Sequence, residues 1–338
     1  MVPNLLKITF IPGLKEVVSG EIKEHPEINI IEEGNDKMYL DLNSDFKKVC
    51  ELKSILNIYV VKRSEEFNPH FISKHKSILA NLIDTVLKLS NDKFKTFKLS
   101  CAGSDSKDVL EIINFIIDTY KIEESEQADM DIFIGKSKGL WEVGVRATAR
   151  PLSLREYKVE NIKGGLNPTI AYAMNAFCNL SGVNSYINIF SGSATLLIEA
   201  GLINNELKLF GFDNNGKSIA QAVKNIKKAG LIKVVELKNA DIFEEPDFGK
   251  FDVITSDLPF GMQISKGDDL EKLYKSFVKY SEKTLNPKGT LVIYTTENEI
   301  LEPILGKSSF KIIKTLDLTV STVVNKYIYP KIFVCAWK

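Results

Sequence analysis

The stretch Tyr186-Ile187-Asn188-Ile189-Phe190-Ser191-Gly192-Ser193-Ala194-Thr195 decides the fold. Its first half is a short apolar run and its second half a turn of small residues, which leads straight into a helix. The same grammar repeats downstream. Lys208–Phe212, Val234–Leu237, Phe251–Thr255 and Thr290–Thr295 read as further strands, and Phe310–Leu318 and Ile332–Trp337 end the chain with two more. Helices fill the gaps; Leu270, Leu273, Tyr274, Phe277 and Val278 trace one apolar stripe. Strands alternating with helices predict a mostly parallel, doubly wound α/β sheet from Asn167 onward. Asn167-Pro168 supplies an N-cap and a proline at the first helical position.

In such a sheet, ligands sit at the carboxyl ends of the strands. After the first strand, Phe190, Ser191, Gly192, Ser193, Ala194 and Thr195 let a ligand approach the backbone at a helix N-terminus. This is not GxGxxG, which a nicotinamide pyrophosphate would want. The second strand ends at Asp213-Asn214, where an ionised carboxylate can accept from two ribose hydroxyls. Asp241-Ile242 follows the third, placing an acceptor for an adenine amino group beside an apolar side chain. Taken singly, each of these also reads as a polar or tightly packed turn.

The fourth strand ends Asp257-Leu258-Pro259-Phe260-Gly261. An exocyclic amine on a base is a poor nucleophile because its lone pair is delocalised into the ring. Accepting its two N–H bonds, on the Asp257 carboxylate and the Leu258 carbonyl, would free that lone pair for an electrophile. Pro259 fixes the turn and Phe260 offers a face for stacking a base. The four strand ends together describe an S-adenosylmethionine site beside an amine target.

The chain has 338 residues, 44% hydrophobic and 26% charged, which is the composition of a core-forming protein of two or three domains. Forty-four Lys+Arg balance forty-four Asp+Glu, which excludes a simple polybasic binder. Cys50, Cys101, Cys178 and Cys335 form no CxxC, and His25, His70 and His75 have no metal-site spacing. No metal is expected. No apolar run approaches a membrane span and the N-terminus lacks a secretory leader, so an intracellular, cytoplasmic protein is expected.

The first sixty residues read βαββαβ, a ferredoxin-like order: strands Leu5–Phe10, Ile28–Glu33, Lys37–Leu42 and Ile58–Arg63, with one helix after Pro12-Gly13 and another capped by Ser44. Residues 69–150 read as helix (Phe71 to Leu89), strand (Phe94–Ser100), a helix opened by Ser104-Asp105, and strands Met130–Ile134 and Trp141–Thr148. From Arg150-Pro151 to Lys163-Gly164-Gly165 a basic connection looks like a linker.

Residues 167–338 resemble the Rossmann-fold (class I) methyltransferases that modify guanine N2 in RNA. Ile187 to Thr195, continuing through Ile198-Glu199-Ala200, is similar to their cofactor motif, usually written LDPFCGSGT…IEA. Asp257-Leu258-Pro259-Phe260-Gly261 is similar to their (D/N)-x-P-(F/Y)-G motif, and its Leu resembles the branch acting on guanosine 6 of tRNA. Arg150 through Tyr157, leading into Asn167 to Ala171, resembles the stretch that joins the catalytic domain to the α+β front half of these enzymes, a ferredoxin-like domain plus THUMP. Asn188, Ser191 and Ala194 depart from the usual acid, Cys and second Gly, and Leu258 from the usual proline.

The resemblance implies four parts: a ferredoxin-like domain (1–63), a THUMP RNA-binding domain (64–150), a linker (151–166) and a methyltransferase domain (167–338). It implies S-adenosylmethionine as cofactor, held by Asn167, Thr169, Phe190 to Thr195, Asp213, Asn214, Asp241, Ile242 and Asp257. Asp257, Leu258, Pro259 and Phe260 would be catalytic. The substrate would be tRNA, gripped at its acceptor stem and 3′ end by a monomer, giving N2-methylguanosine at position 6. Residues 1–165 carry 24 basic and 26 acidic groups, so an RNA surface there must be a local patch. Lys93, Lys95, Lys98, Arg146, Arg150 and Arg155 are the candidates. The alternatives are a ribosomal-RNA or tRNA position-10 enzyme on the same scaffold, an inactive RNA-binding paralogue, a DNA adenine methyltransferase and a nicotinamide dehydrogenase.

Overall fold

The computed structural model describes residues 4–64, 76–101, 106–137, 139–260, 269–323 and 326–338. The chain divides into two compact units, Met1–Phe10 with Val18–Ser153, and Ile11–Val17 with Leu154–Lys338. Phe71, Ser104-Asp105, Gly261 and the histidines His70 and His75 lie outside the described residues.

Eight strands of the front half form one sheet: β1 (Leu5–Thr9), β2 (Ile30–Glu33), β3 (Lys37–Asp41), β4 (Asn57–Ser64), β5 (Thr96–Cys101), β6 (Glu123–Glu124), β7 (Met130–Ser137) and β8 (Leu140–Arg146). Their order is β2-β3-β1-β4-β8-β7-β5-β6. The helices are α1 (Lys15–Lys23), α2 (Phe46–Glu51), α3 (Lys76–Leu89) and α4 (Lys107–Tyr120). Alternation along the strands sends Leu6, Ile8, Ile58 and Val60 to one face. There they bury with Val49, Leu82, Val86, Ile112 and Ile116 of the helices.

Two readings of this half need correcting. The parts expected to separate at residue 63 share this sheet and this core, because β4 pairs antiparallel with β8, Tyr59 opposite Arg146. The N-cap of α2 is Asp45, not Ser44. Asp45 accepts the Lys47 and Lys48 amides, while the Ser44 hydroxyl accepts the Asn29 amide at 3.1 Å.

The second unit holds β9 (Ser185–Ile189), β10 (Lys208–Asp213), β11 (Val235–Asn239), β12 (Phe251–Asp257), β13 (Leu285–Thr295), β14 (Phe310–Asp317), the short pair β15 (Val320–Val323) and β16 (Lys326–Ile328), and β17 (Lys331–Trp337). Its helices are α5 (Pro168–Ala176), α6 (Thr195–Ile203), α7 (Gly216–Lys228), α8 (Leu270–Thr284) and α9 (Asn298–Lys307). The sheet runs β11-β10-β9-β12-β13-β17-β14. All neighbours are parallel except β17, which is antiparallel to both β13 and β14. The direction of strand succession reverses between β9 and β12. That is the switch point at which a crevice opens beyond the carboxyl ends.

The stripe read on α8 turns inward: Tyr274, Phe277 and Val278 are buried, with Leu270 and Leu273 packed at the margin. The stretch expected as a linker is not one. From Leu154 on the chain belongs to the second unit, and within it the Tyr157 hydroxyl and Arg155 Nε both donate to Glu199 of α6, at 2.7 and 3.1 Å. Among the described residues, no helix is long and apolar enough to cross a membrane, and no group of three or more His, Cys, Asp or Glu could hold a metal ion.

Candidate active site

A cavity of about 330 Å³ opens at the switch point. It is lined by the turn after β9 (Phe190, Ser191, Gly192, Ser193, Thr195), by Asp213 and Asn214 after β10, and by Asp257 and Pro259 after β12. Three of the four strand ends read from the sequence therefore meet in one space. Its volume lies in the ordinary range for small-molecule sites, ~300–1,000 Å³.

The turn after β9 is wound tightly. Phe190, Gly192 and Ala194 all take positive φ, 59°, 50° and 62°. Gly192 meets this at no cost, whereas an alanine held there stores about 1 kcal/mol. Asp213 fixes the turn in place. Its Oδ2 accepts the Gly192 amide and its Oδ1 the Asn215 amide, both at 2.9 Å. Burial raises the Asp213 pKa, and those two N–H groups oppose the shift. Close approach of β10 to α6 requires Gly211, since a Cβ there would meet Leu197 at 2.6 Å.

Under the turn, a polar network ties four elements together. The Thr255 hydroxyl donates to Tyr186 at 2.7 Å, Tyr186 donates to Asn175 at 2.8 Å, and Asn175 donates to the Leu196 carbonyl at 3.0 Å. Asn188 lines the cavity and donates to the Thr255 carbonyl at 3.1 Å. The amide at this position thus holds β9 to β12, a bond a carboxylate could not donate.

At the end of β12 the chain turns sharply. Leu258 is fully buried, its amide donating to the Tyr294 carbonyl at 2.9 Å. The Pro259 carbonyl accepts from the Tyr274 hydroxyl at 3.1 Å. Phe260 stands edge-on to Tyr294, ring centres 6.2 Å apart. Asp257 Oδ1 is buried without a hydrogen-bond partner among the described residues. A buried acceptor left open in this way costs free energy unless a ligand satisfies it. Burial pushes the Asp257 pKa up to about 7, and the Lys158 ammonium pulls it back down.

Lys158 was not among the expected site residues. It donates to the Leu166 carbonyl at 2.7 Å, and Leu166 lines the cavity. Burial lowers its pKa, opposed by the charges of Asp257 and Glu199. Lys163, Gly164 and Gly165 line the cavity too, so the expected linker supplies one wall. The adjacent glycines just before the Asn167 cap were the signal available for this.

Other expected residues lie elsewhere. Asn167 accepts the Thr169 amide at 2.8 Å as the cap of α5 and does not line the cavity. Thr169 is fully buried with its hydroxyl unpartnered, and Ala194 is buried behind the turn. Asp241 caps a short turn through the Phe243 amide, and Ile242 is packed in the core beside Phe212. Of the basic candidates, Arg146 is buried and donates to the carbonyls of Ala128, Asp129 and Thr148. Arg155 is committed to Glu199 with a side chain 9% exposed. Both are corrected to structural roles, because an exposed phosphate cannot reach a guanidinium buried in its own fold. Lys98 pairs with Glu126; Lys93, Lys95 and Arg150 are exposed.

The residues fit S-adenosylmethionine. The cradle is walled by small side chains and backbone, Asp213 offers further lone pairs, and the Ser191 hydroxyl, unpartnered among the described residues, is on a cavity-lining residue.

Comparison with known proteins agrees. Residues 155–326 match the family described as UPF0020, RMKL-like, methyltransferase domain. A tRNA (guanine(6)-N2)-methyltransferase of Archaeoglobus fulgidus is 24% identical over 86% of this chain and 83% of its own length. The U6 snRNA (guanine-N(2))-methyltransferase THUMPD2 of Homo sapiens is 29% identical over 50% of this chain, which spans about a third of it, 32%. The crystal structure of TrmN from Thermus thermophilus superposes with a TM-score of 0.78 at 18% identity, covering 99% of this chain and 100% of that one. SMU.472, a putative methyltransferase complexed with SAH, gives 0.75 at 16% identity, over 100% and 99%. The chain belongs to the RMKL-like methyltransferase-domain family UPF0020 and shares the fold of these two structures.

Proposed function

We propose that this enzyme methylates the N2 amine of a guanosine in tRNA, at position 6 of the acceptor stem. The observation that carries this is Asp257: a half-buried carboxylate whose buried Oδ1 has no hydrogen-bond partner among the described residues, on the cavity wall, followed at once by Leu258 and Pro259. Bound S-adenosylmethionine supplies an electrophilic methyl group on a sulfonium.

Everything else falls to the chain. The turn after β9 and Asp213 hold the cofactor. Asp257 and the Leu258 carbonyl accept the two amine protons and so orient the nitrogen lone pair, a contribution of position rather than of new bonding. Phe260 carries the base. The amine proton that must leave passes to Asp257, whose pKa near 7 suits it to take a proton at neutral pH. A guanine paired in a stem reaches this site only after flipping, at a cost of a few kcal/mol.

The relatives' names support guanine N2 as the target atom: those of Archaeoglobus fulgidus and Methanocaldococcus jannaschii act at tRNA guanine 6, and a second Methanocaldococcus protein at guanine 10. Residues 1–150 would act as the ferredoxin-like and THUMP docking module, with Lys93, Lys95 and Arg150 as its remaining basic candidates. The test is a pair of tRNA transcripts, one with guanosine and one with inosine at position 6. Inosine lacks the 2-amino group. Methylation of the first alone supports the reading; equal methylation of both moves the target to another guanosine.

A further inference from the structure

The connection between β14 and β17 has no part in the site described above, yet its place in the sheet is specific. Asp257 lies opposite Tyr294 of β13, and Tyr294 lies opposite Ile332 of β17. One residue further out, Thr295, Lys331 and Asp317 form the next row. The connection therefore leaves β14 three strands from Asp257 and rejoins the sheet at β17, two strands away, about 10 Å at the usual ~4.8 Å strand spacing. It leaves at the same carboxyl edge. The Leu318 amide donates to the Pro330 carbonyl at 2.9 Å and closes its base, and β15 and β16 pair antiparallel beyond that point.

The cofactor cavity takes up the other side of Asp257, toward β9 and β10. A macromolecular substrate has to bring its amine from the β13–β17 side. On that side the connection presents Tyr327 and Tyr329, 54% and 67% exposed, with the less exposed Ile328 between them. Tyr327 lies in β16 and Tyr329 just beyond its end, two residues apart, a span of about 6.6 Å in extended chain and close to two steps of a stacked strand at ~3.4 Å each. From Leu318 to Pro330 the sequence holds one lysine, Lys326, and no acidic residue, so nothing in it repels phosphate. A lone two-stranded hairpin is marginally stable by itself and gains from a ligand.

We propose that Tyr327 and Tyr329 stack on nucleobases of the RNA next to the target nucleotide and clamp the strand while that nucleotide is flipped. This rests on the RNA reading given above. Stacking tolerates any base because every base has a π-face, so the clamp adds affinity without adding sequence preference.

The experiment uses the full chain, a fluorescein-labelled unmodified tRNA transcript and anisotropy titration, with cofactor binding measured by calorimetry on the same samples. The double variant Tyr327→Ala/Tyr329→Ala is expected to lose at least ten-fold in tRNA affinity. Its cofactor Kd should stay within two-fold of wild type, which shows that the catalytic unit is folded. Tyr327→Phe/Tyr329→Phe should bind tRNA like wild type, since stacking needs the ring and not the hydroxyl. Wild-type affinity in the alanine variant, or an equal loss in the phenylalanine variant, overturns the clamp alone. Failure of the wild-type chain to bind tRNA while it binds cofactor overturns the RNA reading, and the clamp with it.

Discussion

Asp213 Oδ2 accepts the Gly192 amide at 2.9 Å, fastening the end of β10 to the turn that follows β9. With Oδ1 bonded to the Asn215 amide, this one carboxylate sets the shape of the cofactor cradle from two sides. Asp213→Ala should weaken cofactor binding at least ten-fold and destabilise the fold by about 1–3 kcal/mol, the cost of leaving backbone donors unpaired. Isothermal calorimetry and urea denaturation measure the two effects. An unchanged Kd would confine Asp213 to a turn role.

Asp257→Asn should cut methyl transfer ~10²–10⁴-fold, the usual range for loss of a positioned acid–base group. Cofactor affinity should remain near wild type. The Asp257 pKa is raised on folding, from 3.8 to about 7, so the native state holds this proton more tightly than the unfolded chain does. That advantage is complete below pH ~4 and disappears as pH rises through ~7. Relative to Asp257→Asn, the wild type should therefore lose stability on the order of 4 kcal/mol over the whole window, of which ~2–3 kcal/mol falls between pH 5 and pH 8. Urea midpoints of the two proteins at pH 5 and pH 8 check the sign.

Lys158 and Asp257 face one another electrostatically, with the phenols of Tyr274 on α8 and Tyr294 on β13 also within the field of Asp257. Activity that requires ionised Asp257 should rise with pH to a plateau above ~7. Lys158→Met should move that midpoint up by about one unit, because removing an opposite charge disfavours the ionised form. Lys158→Arg should restore it. A pH profile identical to wild type in Lys158→Met would reduce Lys158 to its bond with the Leu166 carbonyl.

Tyr186→Phe removes the central hydroxyl of the chain Thr255–Tyr186–Asn175 beneath the switch point. The expected cost is about 1–2 kcal/mol, since Asn175 and Thr255 are then left short of a partner. A denaturation midpoint equal to wild type would show that the neighbours re-pair.

What the sequence makes legible follows from locality. β9, β10 and β12 are largely apolar runs whose chemistry stands at their carboxyl ends, and Ser191-Gly192, Asp213 and Asp257 are found together for that reason. What it hides depends on partners far away in the chain. Arg155 and Tyr157 look like a charged linker until Glu199, 44 and 42 residues on, is seen to bind them. Arg146 looks like a surface charge until its carbonyl acceptors close around it. Ile242 after β11 reads as an adenine contact by analogy of position, but Phe212 and its neighbours claim it for the core. The strands of the β15–β16 hairpin, four and three residues, are too short to stand out between two longer strands.

The most direct test is transfer of a tritiated methyl group from S-adenosylmethionine to unmodified total tRNA, followed by digestion to nucleosides. Label is expected in N2-methylguanosine and is lost in Asp257→Asn. Label on any other nucleoside, or none despite measured cofactor binding, would contradict it.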